Sequence, residues 1–275
     1  MLGQGLLLAQ GGSKRYRPQP DYVQLGAPDQ EEGRRLLAEL RAMGIPGDYY
    51  LEFQLRMLPR RGEEKLYTGR LWGGRREAGA MTRLELLGAD GSETRLLILT
   101  GPAPAIWKWS PGQDAPQRLP TAELFTPLGD TLLTPFDFQM PYLFWSDFVY
   151  EGIAKVRNRP SYRFLLYPPA DISVSRPELS GVRVSMDTQY KALVESQQLG
   201  ADGASLKMMS LLELKKTGEQ WIVRSIDVRD EQSRSKTRLS FNAAALGLDF
   251  ADVLFAPASL ADLVRPPEGR KIDRF

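Results

Sequence analysis

The 275-residue chain contains no cysteine and no histidine. Together these absences exclude thiol and imidazole nucleophiles, Cys/His zinc sites, the Ser-His-Asp triad and imidazole proton shuttles. A chain without thiols suits any redox compartment, but it has no N-terminal cysteine to carry a lipid. No apolar run approaches the ~20 residues that a bilayer-spanning helix needs, so the protein is not expected to span a membrane. Neither sign of charge dominates: 36 Lys and Arg face 34 Asp and Glu, for a formal charge of +2. The basic residues are scattered, which argues against nucleic acid as a partner. Gly-rich phosphate loops, nucleophile elbows and metal-ligand clusters are missing too. No cofactor, metal or catalytic residue is therefore expected, and the reading is non-enzymatic. The nearest approach to a paired-carboxylate site is Asp227, Asp230 and Glu231 beside Arg229 and Arg234, which reads as ion pairs at a turn.

What is present is ordinary globular material, 42% hydrophobic and 25% charged, enough for one sizeable core. The stretch from Val182 to Phe241 organises the rest. Val182, Val184 and Met186 alternate with Arg183, Ser185 and Asp187, and similar short runs follow, separated by turns at Gly200–Gly203 and Thr217–Glu219. Period-two runs between Gly/Asp turns specify an antiparallel meander with one apolar and one wet face. The first half repeats the pattern. Leu51, Phe53, Leu55 and Met57 mark a strand, with others expected at Lys65–Trp72, Met81–Leu87, Thr94–Thr100 and Ala105–Ser110. Ahead of them, Asp29 is placed to cap a helix carrying Leu36, Leu37, Leu40 and Met43 at helical spacing, ended by Gly44 and Pro46.

Between the halves, residues 130–150 crowd Phe136, Phe138, Tyr142, Phe144, Trp145 and Phe148 around Pro135 and Pro141. So many aromatics outside a regular strand mark a plug or lid seated on the sheet's apolar face, with Trp145 and Phe148 as cover, or else a plain core segment. Glu151–Tyr167 reads as a hairpin with Arg157, Asn158 and Arg159 in a solvated tip. Residues 251–263 read as a loop and a helical turn. The expected organisation is a leader over 1–27, one domain over 28–264 and a loose tail over 265–275. The opening Leu-rich decapeptide reads as the tail of a secretory signal or as a frayed terminus.

An ordered set of short features resembles the LolA-like outer-membrane lipoprotein-sorting proteins. They are Tyr150-Glu151-Gly152, Arg159-Pro160-Ser161-Tyr162, the run Val182–Asp187, Asp202-Gly203 before Leu206-Lys207, Trp221-Ile222, Ser235-Lys236-Thr237 and Leu254-Phe255-Ala256-Pro257. The resemblance covers about residues 141–262; Thr217–Gln220 stands where the family commonly has a Gly-Gly pair. It implies a mainly β fold: an incomplete, curved antiparallel barrel whose apolar concave face is covered by an N-terminal helix and short helices. It also implies a monomeric periplasmic carrier of lipoprotein acyl chains or other lipid, handling cargo between inner- and outer-membrane sorting components. The same fold serves in a lipid-sensing envelope-stress regulator, so a sensor or scaffold that binds a protein partner is the alternative. From the alternation, the residues expected to line the apolar cavity are Val184, Met186, Val194, Met208, Leu212, Ile226, Val228, Leu239 and Phe241. Methionine suits such a surface because its flexible thioether adapts to varied guests. A Met208→Asp change is expected to abolish lipid uptake.

Overall fold

The computed structural model describes residues 27–275; the leader, apart from its last residue, lies outside the described residues. The carboxylate of Asp29 accepts from the backbone N–H groups of Glu31 (2.8 Å) and Glu32 (3.4 Å) and so caps helix α1, Gln30–Ala42. Leu36, Leu37 and Leu40 form its buried stripe, while Met43 has left the helix as its C-cap residue. The short helices α2 (Pro135–Gln139) and α3 (Ala170–Ser175) come later in the chain.

The first strands are β1 (Asp48–Leu58), β2 (Lys65–Arg76), β3 (Gly79–Gly88), β4 (Glu93–Thr100), β5 (Ala105–Trp109) and β6 (Gln117–Arg118). The second half supplies β7 (Phe148–Val156), β8 (Arg159–Leu166), β9 (Gly181–Asp187), β10 (Leu193–Leu199), β11 (Ser205–Thr217), β12 (Gln220–Asp230) and β13 (Lys236–Leu248). They form one antiparallel sheet in the order β6-β5-β4-β3-β2-β1-β13-β12-β11-β10-β9-β8-β7. Each half is a plain meander, and β1 joins the halves by pairing with β13, Phe53 opposite Phe241 and Leu55 opposite Leu239. The edge strands β6 and β7 do not pair, so the sheet is an open, curved half-barrel of the expected class. No described helix is long and apolar enough to cross a membrane.

The inner face carries two apolar clusters. One joins Leu51, Phe53 and Leu55 to Leu84, Leu96 and Ile98 and to Val228, Leu239 and Phe241. The other joins the stripe of α1 to Phe164, Val182, Val184 and Met186. Gly33 lets α1 settle onto β7: a Cβ there would lie 2.4 Å from that of Tyr150. The side-chain amide of Gln30 then bonds both the N–H and the C=O of Tyr150, each at 2.9 Å. It completes the hydrogen bonding of the edge strand at that residue, as edge strands need.

The outer face of the first half is not wet, contrary to the alternation-based expectation. Met81 and Leu97 pack beneath Phe255 and Leu260, and Tyr50 and Trp72 beneath Phe250 and Leu254. Segment 249–264, with 3-10 turns at Asp252–Phe255 and Pro257–Ala261, therefore covers the outside of the sheet. Arg83 has no solvent exposure, and its guanidinium donates to the carbonyls of Ser259 (2.8 Å), Leu260 (3.3 Å) and Asp262 (2.5 Å). Burial lowers the Arg83 pKa and raises that of its neighbour Glu85. Replacing Arg83 with Ala is expected to cost about 2–3 kcal/mol, because charge-assisted bonds and buried carbonyls lose their donor. Differential scanning calorimetry should show a Tm lower by roughly 5–10 °C.

The last three residues of the tail are held by the sheet. β14, Asp273–Arg274, pairs with Ala243 and Ala244 of β13, and Phe275 packs against the larger inner cluster.

Candidate functional site: an apolar trough and its cover

The meander topology forces one long crossing. After β6 the chain has to reach β7 at the opposite edge, and residues 119–147 make that passage across the inner face. They contain 3-10 turns at Thr121–Phe125 and Pro141–Phe144 and the single turn of α2. Leu128 and Leu133 enter the first inner cluster; Phe136, Tyr142, Leu143 and Trp145 enter the second. The passage contributes no strand to the sheet, so it roofs the trough instead of extending its wall.

Polar tethers hold this cover down. Thr237 Oγ1 accepts from the Leu132 N–H at 2.9 Å. Lys207 Nζ donates to the Leu132 carbonyl and to Asp137 Oδ2, both at 2.8 Å. Asp137, also buried, accepts further from Gln198 Nε2 (3.1 Å) and from the N–H and hydroxyl of Thr134 (2.8 Å each). At the far end, the Arg41 guanidinium donates to the carbonyls of Leu143 (2.5 Å) and Trp145 (3.1 Å), and burial lowers its pKa. These bonds fix the cover through side chains, which can exchange partners without breaking a β ladder.

Two features of the closed cover are unfavourable. Met140, between α2 and the next turn, is a non-glycine residue in the left-handed region (φ 47°, ψ 50°), a conformation that costs about 1–2 kcal/mol. The Tyr142 hydroxyl is buried facing Ser196 without a well-formed hydrogen bond, and burial raises its pKa. Leaving such a group unsatisfied costs about 1–3 kcal/mol.

Val184, Met186, Val228, Leu239 and Phe241 lie on the inner face, buried against the protein's own side chains, and Ile226 packs half-buried beside them. Trp145 sits in the cover, whereas Phe148 opens β7 and belongs to the wall. Three candidates lie elsewhere. Met208 pairs with Gln197 and Arg229 on the outer face; its neighbour Met209, opposite Ser196 and Val228, is the one that points inward. Val194 and Leu212 sit at irregularities of β10 and β11 and line a separate cavity near the β7–β8 turn. Sequence reasoning missed Asp137 and Lys207, although a lone carboxylate between Phe136 and Phe138 signals the need for a buried partner. Asp227 is taken up by Arg238 (2.7 Å) and Lys236 (3.4 Å). Burial raises its pKa, but these two cations outweigh that effect and leave it below the ordinary value. Among the described residues no group of three or more Asp or Glu is placed to hold a metal ion.

No family model and no curated protein matches the chain. Solved structures do. A DUF1329 family protein from Desulfovibrio piger superposes with a TM-score of 0.70 at 14% identity, over 84% of this chain and 98% of that one. An outer-membrane lipoprotein-sorting protein domain from Vibrio parahaemolyticus gives 0.69 at 15%, over 82% and 97%. A LolA superfamily protein from Nitrosomonas europaea gives 0.61 at 15%, over 81% and 96%. The chain has a LolA-like fold. Within that fold the inner trough and its cover are formed by residues from both halves of this chain, Leu51 to Leu55 as much as Val182 to Met186.

Proposed function

We propose that this protein is a non-catalytic periplasmic carrier that holds the acyl chains of lipoproteins or other lipids in the trough beneath residues 119–147, within outer-membrane lipoprotein sorting. The observation that carries this reading is the cover itself, an apolar segment laid over an apolar face and fastened by side chains instead of strand pairing. In the closed form the cover's own Leu133, Phe136 and Tyr142 occupy the place of a guest. An acyl chain gains about 0.8 kcal/mol per buried methylene, on the order of 12 kcal/mol for sixteen carbons. The tethers contribute about 1–3 kcal/mol each, and the strained Met140 and unsatisfied Tyr142 favour release. A long acyl chain that replaces the cover's apolar contacts is thus on the energetic scale needed to displace it.

Met209→Asp places a charge on the inner wall and is expected to reduce uptake of a fluorescent diacyl lipopeptide probe more than tenfold, because a charge without a partner is costly to bury. Met208→Asp, on the outer face, should leave uptake unchanged in a protein with native circular dichroism. Equal loss in both variants would place the probe outside the trough.

The second reading, a sensor or scaffold that binds a protein partner, draws on the exposed part of edge strand β7 around Ile153. Displacement of the probe by a lipopeptide but not by its unacylated peptide favours the carrier; displacement by both favours the scaffold.

A further inference from the structure

Near the β7–β8 turn two strands separate. β10 pairs with β11 only as far as Glu195 opposite Ser210, and from Leu211 onward β11 is paired with β12 alone. A cavity of about 310 Å³ opens in the gap, at the lower end of the range of about 300–1,000 Å³ for small-molecule sites. Its apolar lining comes from Val156, Val194, Leu211, Leu212 and Leu214. Around it stand Arg157, Arg159, Asp187 and Tyr190.

The charges beside this lining do not balance. Arg159 Nε is 2.5 Å from Asp187 Oδ2, and its guanidinium carbon lies 4.8 Å from the centre of the Tyr190 ring. Burial raises the Asp187 pKa, but Arg159 and the N–H groups of Tyr190 and Gln189 more than reverse this and hold it below the ordinary value. The pair is therefore ionised and closed on itself. Arg157 is different. It donates to the main-chain carbonyl of Leu211 and, among the described residues, has no carboxylate within ion-pair distance. The two-residue turn Arg157-Asn158, with both residues left-handed (φ 49° and 66°), carries it to the cavity mouth. With Arg157 and Arg159 against Asp187, the lining bears one net positive charge beside its aliphatic side chains.

We infer that this cavity binds a single-chain amphiphile with an anionic headgroup, the tail against Val194, Leu212 and Leu214 and the carboxylate or phosphate on Arg157. A planar guanidinium presents paired N–H donors that match either headgroup. The site is lined by none of residues 119–147, so it does not require the cover to lift and does not rest on the carrier reading.

The test uses methyl NMR and titration calorimetry with dodecanoate, dodecyl phosphate, dodecanol and inorganic phosphate, on the native chain and on an oxidised Leu132→Cys/Thr237→Cys variant whose cover is fixed. Dodecanoate and dodecyl phosphate are expected to move the methyl resonances of Val194, Leu212 and Leu214 in both proteins, and the tighter of the two names the headgroup. Arg157→Gln should weaken both at least tenfold without changing the weaker affinity for dodecanol, Leu212→Gln should weaken all three, and phosphate alone should not bind. The inference is overturned if these resonances stay still at saturation, if dodecanol binds as tightly as dodecanoate, or if fixing the cover abolishes binding. That last result would assign the amphiphile to the trough and leave the carrier reading intact.

Discussion

Oxidation of a Leu132→Cys/Thr237→Cys variant is expected to abolish uptake of a fluorescent diacyl lipopeptide probe, which is too large for the cavity of about 310 Å³ beside Arg157, and reduction to restore it. The Leu132 N–H lies 2.9 Å from Thr237 Oγ1, which brings the middle of the cover against β13. Because the chain has no cysteine of its own, an introduced pair can form only one intramolecular disulfide. Thr237 is wholly buried, so the oxidised link lies beneath the cover and prevents it from leaving the inner face. The effect should be large, since a guest that needs the space held by Leu133 and Phe136 gains nothing from a trough that cannot be vacated. Unchanged circular dichroism would confirm that the loss reflects immobilisation. Uptake that persists in the oxidised form would show that acyl chains bind without the cover moving.

The second large effect concerns Asp137. Its carboxylate is buried and accepts from Lys207, Gln198 and Thr134. Asp137→Ala removes the partner of a mostly buried ammonium and is expected to cost about 3–5 kcal/mol, lowering the Tm by roughly 6–20 °C. A double change, Asp137→Leu with Lys207→Met, removes both charges together and should recover most of that stability, since a buried ion pair replaced by apolar groups is often neutral or stabilising. Calorimetry on Asp137→Leu alone, Lys207→Met alone and the double variant gives the coupling directly. Additive losses would mean that the two groups do not act as a pair.

These residues also show how far the sequence could be read. The strands of the first half follow from plain alternation, because Leu51, Phe53 and Leu55 lie on a strand with one inward side and a regular partner in β2. Val182, Val184 and Met186 were legible for the same reason. Val194, Met208 and Leu212 were not, and all three lie on strands whose pairing is interrupted. β10 shifts register between Leu193 and Glu195, and β11 shifts between Leu211 and Glu213 and again before Leu214. An extra residue in a strand reverses which side chains face inward from that point on, and adjacent methionines give no cue as to which of them is inside. The two-sided burial of β3 and β4 did leave a trace, since Leu-Leu-Ile-Leu at 96–99 is continuous rather than alternating, as strands covered on both faces are. Its cover, residues 249–264, comes from the far end of the chain. Arg83 and Arg95 hold that cover down through its main-chain carbonyls, a role that an arginine within a strand does not signal by itself. The cation at Arg157 read as a solvated turn because the cavity beside it exists only where β10 stops and β11 continues.

The most direct measurement of the central claim is native mass spectrometry of the protein gently isolated from the periplasm of cells expressing it with an export signal, followed by identification of whatever dissociates on activation. The account predicts a complex with one multiply acylated lipoprotein or lipid, lost when residues 132 and 237 have been joined before exposure to lipid. A protein that emerges bare, and stays bare when mixed with lipopeptide at micromolar concentration, would contradict it.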